Sequence, residues 1–256
     1  MIAVFNFSFN LQSVPLSIIG VSYSVAAFPT LAKYYVGGEY QNFLRHMMIA
    51  ARHIIFWSIP AAVLFVVLRA QIVRSILGSG AFSWSDTRLT AAVLALFTFS
   101  LVAQGLILLF VRGYYATGNT KAPLFINAFS ALVTIFSAYL LTYLFDHFLT
   151  FRYFIENILK INDIGGSSIV MLAFAFSCGS LINLILFWII FEKKFGSFSK
   201  NVLPTFYHSF AASIIMGFAT YLSLSYWGTV FDLNTFLGIF LQGLLAGVVG
   251  IVAWIG

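Results

Sequence analysis

The chain has 256 residues, 61% of them hydrophobic and only 8% charged, with a net charge of +6 and a mean hydropathy of +1.00. Values so far from the globular norm exclude an ordinary water-soluble domain. The 13 basic residues lie scattered between apolar runs, which excludes a nucleic-acid-binding face, and the lone Cys178 excludes an internal disulfide or a CxxC metal or redox site.

A hydrocarbon core about 30 Å thick is crossed by about 20 helical residues. The first candidate span covers 1–32 and carries Asn6, Asn10, Gln12 and Ser13 ahead of Pro15. Asn6, Asn10 and Ser13 are four and three residues apart, so they share a helical face. Pro15 deprives the Leu11 carbonyl of its helical donor. This face reads either as a polar cavity wall or as an interhelical hydrogen-bonding surface.

The second span, 45–69, combines the charge-free stretch 54–68 with the amphipathic stretch 41–51 before it. In the third, 86–112, Ser83 and Asp86 have capping-box spacing, and Gln104 lies within the helix. A turn at Gly118-Asn119 leads to the fourth span, 121–145, with Thr120 placed to cap it, Pro123 in its first turn and Asn127 inside it.

Between the fourth and fifth spans an interfacial amphipathic helix is predicted over about 147–161. Phe148, Phe151, Phe154, Ile155 and Ile158 lie on one side and Arg152, Glu156 and Lys160 on another. The fifth span is 165–191, with Asn183, and the last two are 203–229 and 234–256, with Gln242 in the final one. The predicted fold class is all-α, a polytopic transmembrane bundle over 1–193 followed by two further helices within 194–256. Pro15, Gly20, Pro29 and Pro60 are the predicted hinge positions. The 30 phenylalanines suit lipid-facing surfaces and interfacial belts.

Connections after the first, third and fifth spans carry eight basic residues against two acidic ones; the alternate connections carry five of each. The positive-inside rule places the first set in the cytoplasm, and with it the C-terminus. Seven spans then start outside without a signal sequence, which predicts further helices ahead of residue 1.

Catalytic patterns are scarce. His46 and His53 lack an HExxH setting, His147 and His208 have no spaced ligand partner, and no GxSxG elbow occurs. The expectation is a non-enzyme with no cofactor and no metal.

Three ordered motifs carry a resemblance. They are the run 14–21 (Val-Pro-Leu-Ser-Ile-Ile-Gly-Val), Gly-Ser-Gly-Ala-Phe at 78–82 with Asp86-Thr87, and the run 112–123 from Arg112 through Tyr115, Asn119, Thr120 and Lys121 to Pro123. Together they resemble the MurJ (MviN) family of lipid II flippases in the MATE-like multidrug/oligosaccharidyl-lipid/polysaccharide exporter superfamily. Asn10 stands where several family members carry an arginine.

The resemblance implies the eighth to fourteenth helices of a fourteen-helix protein in the bacterial cytoplasmic membrane, with an N-terminal lobe outside this sequence as its partner. It also implies transport of a lipid-linked peptidoglycan precursor by alternating access. The polyprenyl tail would lie along the last two helices, and Asn6, Asn10, Ser13 and Gln104 are the candidate cavity residues. Another polysaccharide-lipid flippase, a MATE-type antiporter and a non-transporting membrane scaffold are the alternatives.

Overall fold

The computed structural model describes residues 2–78, 82–162, 164–196, 198–233 and 235–255, so Ser79, Gly80 and Ala81 of the second motif lie outside the described residues. Among the described residues every regular element is a helix. Helix α1 (Ile2–Leu16) runs through a π-helical turn (Ser17–Val21) into α2 (Ser22–Val36), and the three form one rod of 35 residues. At about 1.5 Å per residue the rod is longer than the hydrocarbon core is thick. The π-turn begins two residues after Pro15, where the missing N–H already interrupts the ladder. Ser22 Oγ donates to the Ser17 carbonyl across it at 3.2 Å.

Then come α3 (Tyr40–Val67), α4 (Arg69–Leu77), α5 (Trp84–Thr98), α6 (Leu101–Ala116), α7 (Lys121–His147), α8 (Leu149–Leu159), α9 (Ile169–Phe195), α10 (Phe198–Val230) and α11 (Phe236–Ile255). Among the described residues six helices, the rod counted as one, are long and apolar enough to cross a membrane, and seven spans result when the bent pair α5 and α6 counts as one. Pro29 and Pro60 sit inside uninterrupted helices.

The 43° bend between α5 and α6 has a different cause. Thr98 Oγ1 donates to the Leu94 carbonyl at 2.7 Å and Ser100 Oγ to the Phe97 carbonyl at 2.6 Å. Hydroxyls bonding back onto the preceding turn are a known cause of helix bending.

Among the described residues two large cores hold the bundle, with a smaller cluster of Leu11, Val73, Ala91 and Leu94 besides. At the end carrying Arg112 and Lys194, Phe43, Phe110, Tyr114, Phe187, Phe191 and Phe198 interlock, with Phe110 5.2 Å from Phe191 and 5.4 Å from Phe198. Near the opposite end Val4, Val93, Phe97, Phe145, Ile161 and Met171 form the second. The phenylalanines therefore divide. Several fill cores, contrary to the expectation of mainly lipid-facing rings, while Phe125, Phe129 and Phe136 on α7 face outward.

The capping box forms: Ser83 Oγ accepts from the Asp86 N–H at 3.2 Å and Asp86 Oδ2 from the Ser83 N–H at 3.0 Å. Thr120 makes no capping bond; Asn119 Oδ1 accepts from the Ala122 N–H at 3.1 Å instead. The reason is local. Gly118 takes a left-handed φ of +71°, which swings the Asn119 side chain over the start of α7.

Helix α8 also departs from its predicted faces. Glu156 turns inward, buried, accepting from Arg152 Nε at 2.9 Å and Ser167 Oγ at 2.6 Å, while Phe148, Phe154 and Ile158 remain exposed. The Arg152 guanidinium is held above its ordinary pKa by that hydrogen bond and by the carboxylate's charge. Lys160 forms no pair with Glu156. It ends α8 in the left-handed conformation, its carbonyl accepting from Arg88.

Candidate functional site

Polar side chains inside apolar spans are costly unless they meet partners or line a wet cavity, so their placement identifies the site. Gln104, Asn127 and Asn183 come from three spans and meet at one cavity of about 510 Å³, walled by α6, α7 and α9 and closed at one corner by Leu16 of the rod. Ser130, Thr134 and Ser180 complete its polar lining.

Each wall has a local reason. Gln104 Nε2 donates to Ser100 Oγ at 2.7 Å, so the hydroxyl that helps bend the third span also orients the amide. Asn183 Nδ2 donates to Asn127 Oδ1 at 3.0 Å and joins α9 to α7. Thr134 Oγ1 donates to the Ser130 carbonyl at 2.8 Å and nests against Gly179, where a Cβ would lie 1.9 Å from that hydroxyl. Asn183 Oδ1 and Ser130 Oγ are buried with no hydrogen-bond partner among the described residues. No Asp, Glu, Lys or Arg is among the described residues lining the cavity.

The remaining predicted positions fall elsewhere. Asn6 and Asn10 are exposed on α1, and Ser13 Oγ donates to the Asn10 carbonyl at 2.7 Å, so these three form a stripe along the outside of the rod. Gln12, between them in sequence, is buried with both amide atoms unpartnered. Gln242 is tied at both ends of its amide, donating to the Leu224 carbonyl at 2.9 Å and accepting from Gln71 Nε2 at 3.2 Å. It is a clasp between helices.

At the basic end, the Arg112 guanidinium lies 5.8 Å from the Phe28 ring centre and Lys194 Nζ 5.8 Å from that of Tyr114. Tyr115 and Lys121 are exposed, and Pro123 is buried in the first turn of α7. Pro15 lies two residues ahead of the π-turn and Gly20 within it, pressed against Gly105. His46 and His53 stack on Tyr34 and Tyr23, with ring centres 4.9 and 5.5 Å apart.

An apolar crevice of about 430 Å³ runs between the rod, α3, α10 and α11, lined by Tyr23, Trp57, Pro60, Met216 and Trp254 among others. Sequence reasoning missed it, because its walls come from four separate spans. Among the described residues no three His, Cys, Asp or Glu side chains are gathered as metal ligands.

A family model described as lipid II flippase MurJ matches residues 1–242. A probable lipid II flippase MurJ of Rhizobium tropici is 29% identical over 132 residues, covering 52% of this chain and 25% of that protein. One of Rickettsia prowazekii is 30% identical over 132 residues, covering 52% of this chain and 26% of that protein. Among solved structures, a lipid II flippase MurJ in an inward closed conformation superposes with a TM-score of 0.68 at 23% identity, over 98% of this chain and 46% of that one. The chain thus spans about half the length of that structure, and the likeness shows a shared fold.

Proposed function

We propose, on the premise that this chain belongs to the lipid II flippase MurJ family, that it forms one wall of a pathway that carries a lipid-linked peptidoglycan precursor across the bacterial cytoplasmic membrane. The observation that carries this reading is the family match over residues 1–242 of a chain whose spans converge on a polar cavity. Moving such a molecule requires no bond to be made or broken. It requires a wet path for the headgroup beside an apolar one for the tail, exposed alternately to each side.

The cavity between α6, α7 and α9 supplies the first and the crevice beside α10 and α11 the second. The stripe of exposed Asn6 and Asn10 with half-buried Ser13 would be costly against hydrocarbon, which favours a water-filled cleft or a companion lobe facing α1. The diphosphate needs cations. Asn10 can offer a hydrogen bond only, so charge must come from the basic end near Arg112 and Lys121 or from the facing lobe. The excess of Lys and Arg at that end favours its placement in the cytoplasm, together with the C-terminus. A cation antiporter is disfavoured, because the cavity lining holds no carboxylate among the described residues.

The test is rescue. Cells depleted of their own lipid II flippase receive the gene with its complete reading frame, and membrane insertion is verified. Restored growth is the expected result; lysis with normal insertion would overturn the reading.

A further inference from the structure

A second apolar space adjoins another face of α3. It is a cleft of about 430 Å³ between α9 and α10, floored by α3 and by the break between α5 and α6. Ala61 lines the crevice described above and Ala62 lines the cleft, since successive helical residues point about 100° apart. Leu181 and Leu184 of α9 face Phe206 and Phe210 of α10 across it, and Phe99, Leu181 and Phe210 are exposed.

The cleft is held open. Helix α10 is fastened to α3 on both sides of Phe206 and Phe210: the Arg52 guanidinium donates to the Asn201 carbonyl at 2.9 and 2.6 Å, and a Cβ on Gly217 would lie 2.8 Å from a Val63 methyl. Helix α9 is fastened to α5 by Ser177 Oγ, which donates to the Leu96 carbonyl at 2.6 Å, and to α7 by the bond from Asn183 to Asn127. At the basic end Glu192 Oε2 accepts from the Ser199 N–H at 2.8 Å and the Ser199 hydroxyl at 2.9 Å, which ties the end of α9 to the start of α10. The two helices meet there and stay apart beside the cleft. A space whose walls are fixed does not collapse, and its lining lacks packing partners until something enters.

The occupant has to be apolar. Thr98 is the one polar side chain among the described lining residues, and its hydroxyl is already bonded to the Leu94 carbonyl at 2.7 Å. The occupant also has to come from the bilayer. Val63 and Val67 of the floor lie beside Gly217, well inside two membrane-crossing helices, so the cleft sits at the depth of hydrocarbon. The polar cavity and the crevice both include residues of the rod, whose polar stripe marks a side turned from lipid. No described residue of the rod lines the cleft, which sets it on the lipid side.

We propose that an acyl chain of a bilayer phospholipid occupies this cleft as a tightly held part of the protein, wedged between the body of the bundle and the last two helices. Association inside a membrane is governed by packing, because lipid tails are as apolar as the helices they cover. A chain that fills a fixed gap is therefore held more firmly than one lying on an outer face. The site requires only that the protein crosses a membrane, whatever it carries.

The protein from the complete reading frame, in lipid nanodiscs, receives two photoreactive probes: phosphatidylethanolamine with a diazirine in its acyl chain, and undecaprenyl diphosphate with a diazirine in its tail. Labelling at Phe99 and Phe210 reports the cleft, and labelling at Tyr139, exposed on α7, reports loosely held lipid. Samples are illuminated before and after washing with detergent. Ala62→Phe fills the cleft, while Ala61→Phe fills the crevice and Ala131→Phe the polar cavity as controls.

The expected result is that the phospholipid probe labels Phe99 and Phe210, survives the washing that abolishes labelling at Tyr139, and is lost from the cleft in Ala62→Phe alone. Cleft labelling that washes out together with Tyr139 marks ordinary boundary lipid and overturns the proposal; this comparison uses the unaltered protein, so it decides even where Ala62→Phe fails to fold. Cleft labelling that persists in folded Ala62→Phe overturns it too. So does labelling by the polyprenyl probe in place of the phospholipid, or by neither.

Discussion

Gly20, in the π-turn of the first rod, lies so close to Gly105 of α6 that a Cβ on Gly20 would sit 2.8 Å from the Gly105 Cα. Because the obstacle is backbone, neither helix can yield by turning a side chain. Gly20→Ala is expected to force the rod away from α6 and to destabilise the protein by about 1–3 kcal/mol, the usual cost of overpacking. Gly105→Ala meets the Ile54 Cγ2 methyl at 3.0 Å, which can shift, and should cost less. Thermal unfolding in detergent decides it, and equal melting temperatures for Gly20→Ala and the unaltered protein would show that the contact is not tight.

The turn into α7 yields a second prediction. Since Asn119 rather than Thr120 accepts from the Ala122 N–H, Asn119→Ala should cost about 1 kcal/mol, as loss of a cap does, and Thr120→Ala close to nothing. The reverse order in a denaturation series would restore Thr120 as the cap.

That contrast shows what the sequence made legible. Hydropathy exposed the spans, and the Ser83 and Asp86 capping box was readable because both partners lie within one turn. Thr120 also fitted the pattern, but Gly118 redirected the chain, and a backbone torsion is not visible in residue order. The amides Gln104, Asn127 and Asn183 were each conspicuous in apolar runs. Their meeting was not, since Asn127 and Asn183 are 56 residues apart. The bend at Ser100 was hidden because hydroxyls bond back onto many straight helices, whereas prolines drew the expectation to Pro29 and Pro60. Glu156 was misplaced because a charge on a short helix suggests a wet face, while the neighbouring Leu159 and Ile161 draw that face into the core.

The bend itself is open to measurement. Ser100→Ala removes both the bond to the Phe97 carbonyl and the acceptor for Gln104 Nε2. With Thr98→Val added, spin labels near the two ends of the third span should move apart as the 43° angle relaxes. An unchanged distance distribution would place the cause of the bend in tertiary packing.

Gln242 and Gln71 form a pair suited to a double-mutant cycle. Interhelical hydrogen bonds in membranes average about 0.6 kcal/mol of coupling, with a maximum near about 1.7 kcal/mol. Because Gln242 also donates to the Leu224 carbonyl, Gln242→Ala should exceed Gln71→Ala in cost. Comparable costs and no coupling would demote the clasp to a packing contact.

On α8 the inward carboxylate makes the order of effects predictable. Arg152→Ala leaves the buried Glu156 carboxylate with the Ser167 hydrogen bond but without its cation, whereas Glu156→Gln keeps a carbonyl oxygen for Ser167. The first should lower the melting temperature more than the second. The sign of the pH effect follows from the raised Arg152 pKa. Stability from that guanidinium is fully present below its unfolded-state pKa and is lost only as pH rises through the still higher folded value. Melting temperatures between about pH 6 and pH 9 should therefore show no contribution from Arg152 titration, and a difference in pH slope in that window between the unaltered protein and Arg152→Lys, which keeps a cation beside Glu156, would contradict the assignment.

The most direct test of the central proposal, that this protein moves a lipid-linked cell-wall precursor past a polar cavity, is the sidedness of that precursor in living cells. In cells whose only flippase is the product of the complete reading frame, a membrane-impermeant enzyme that cleaves the precursor's headgroup is added from outside. The account predicts cleavage near the level of cells with their own flippase, and strongly reduced cleavage when Ala131→Phe is introduced. Precursor that remains protected on the inner leaflet, with the unaltered protein inserted and abundant, would contradict it.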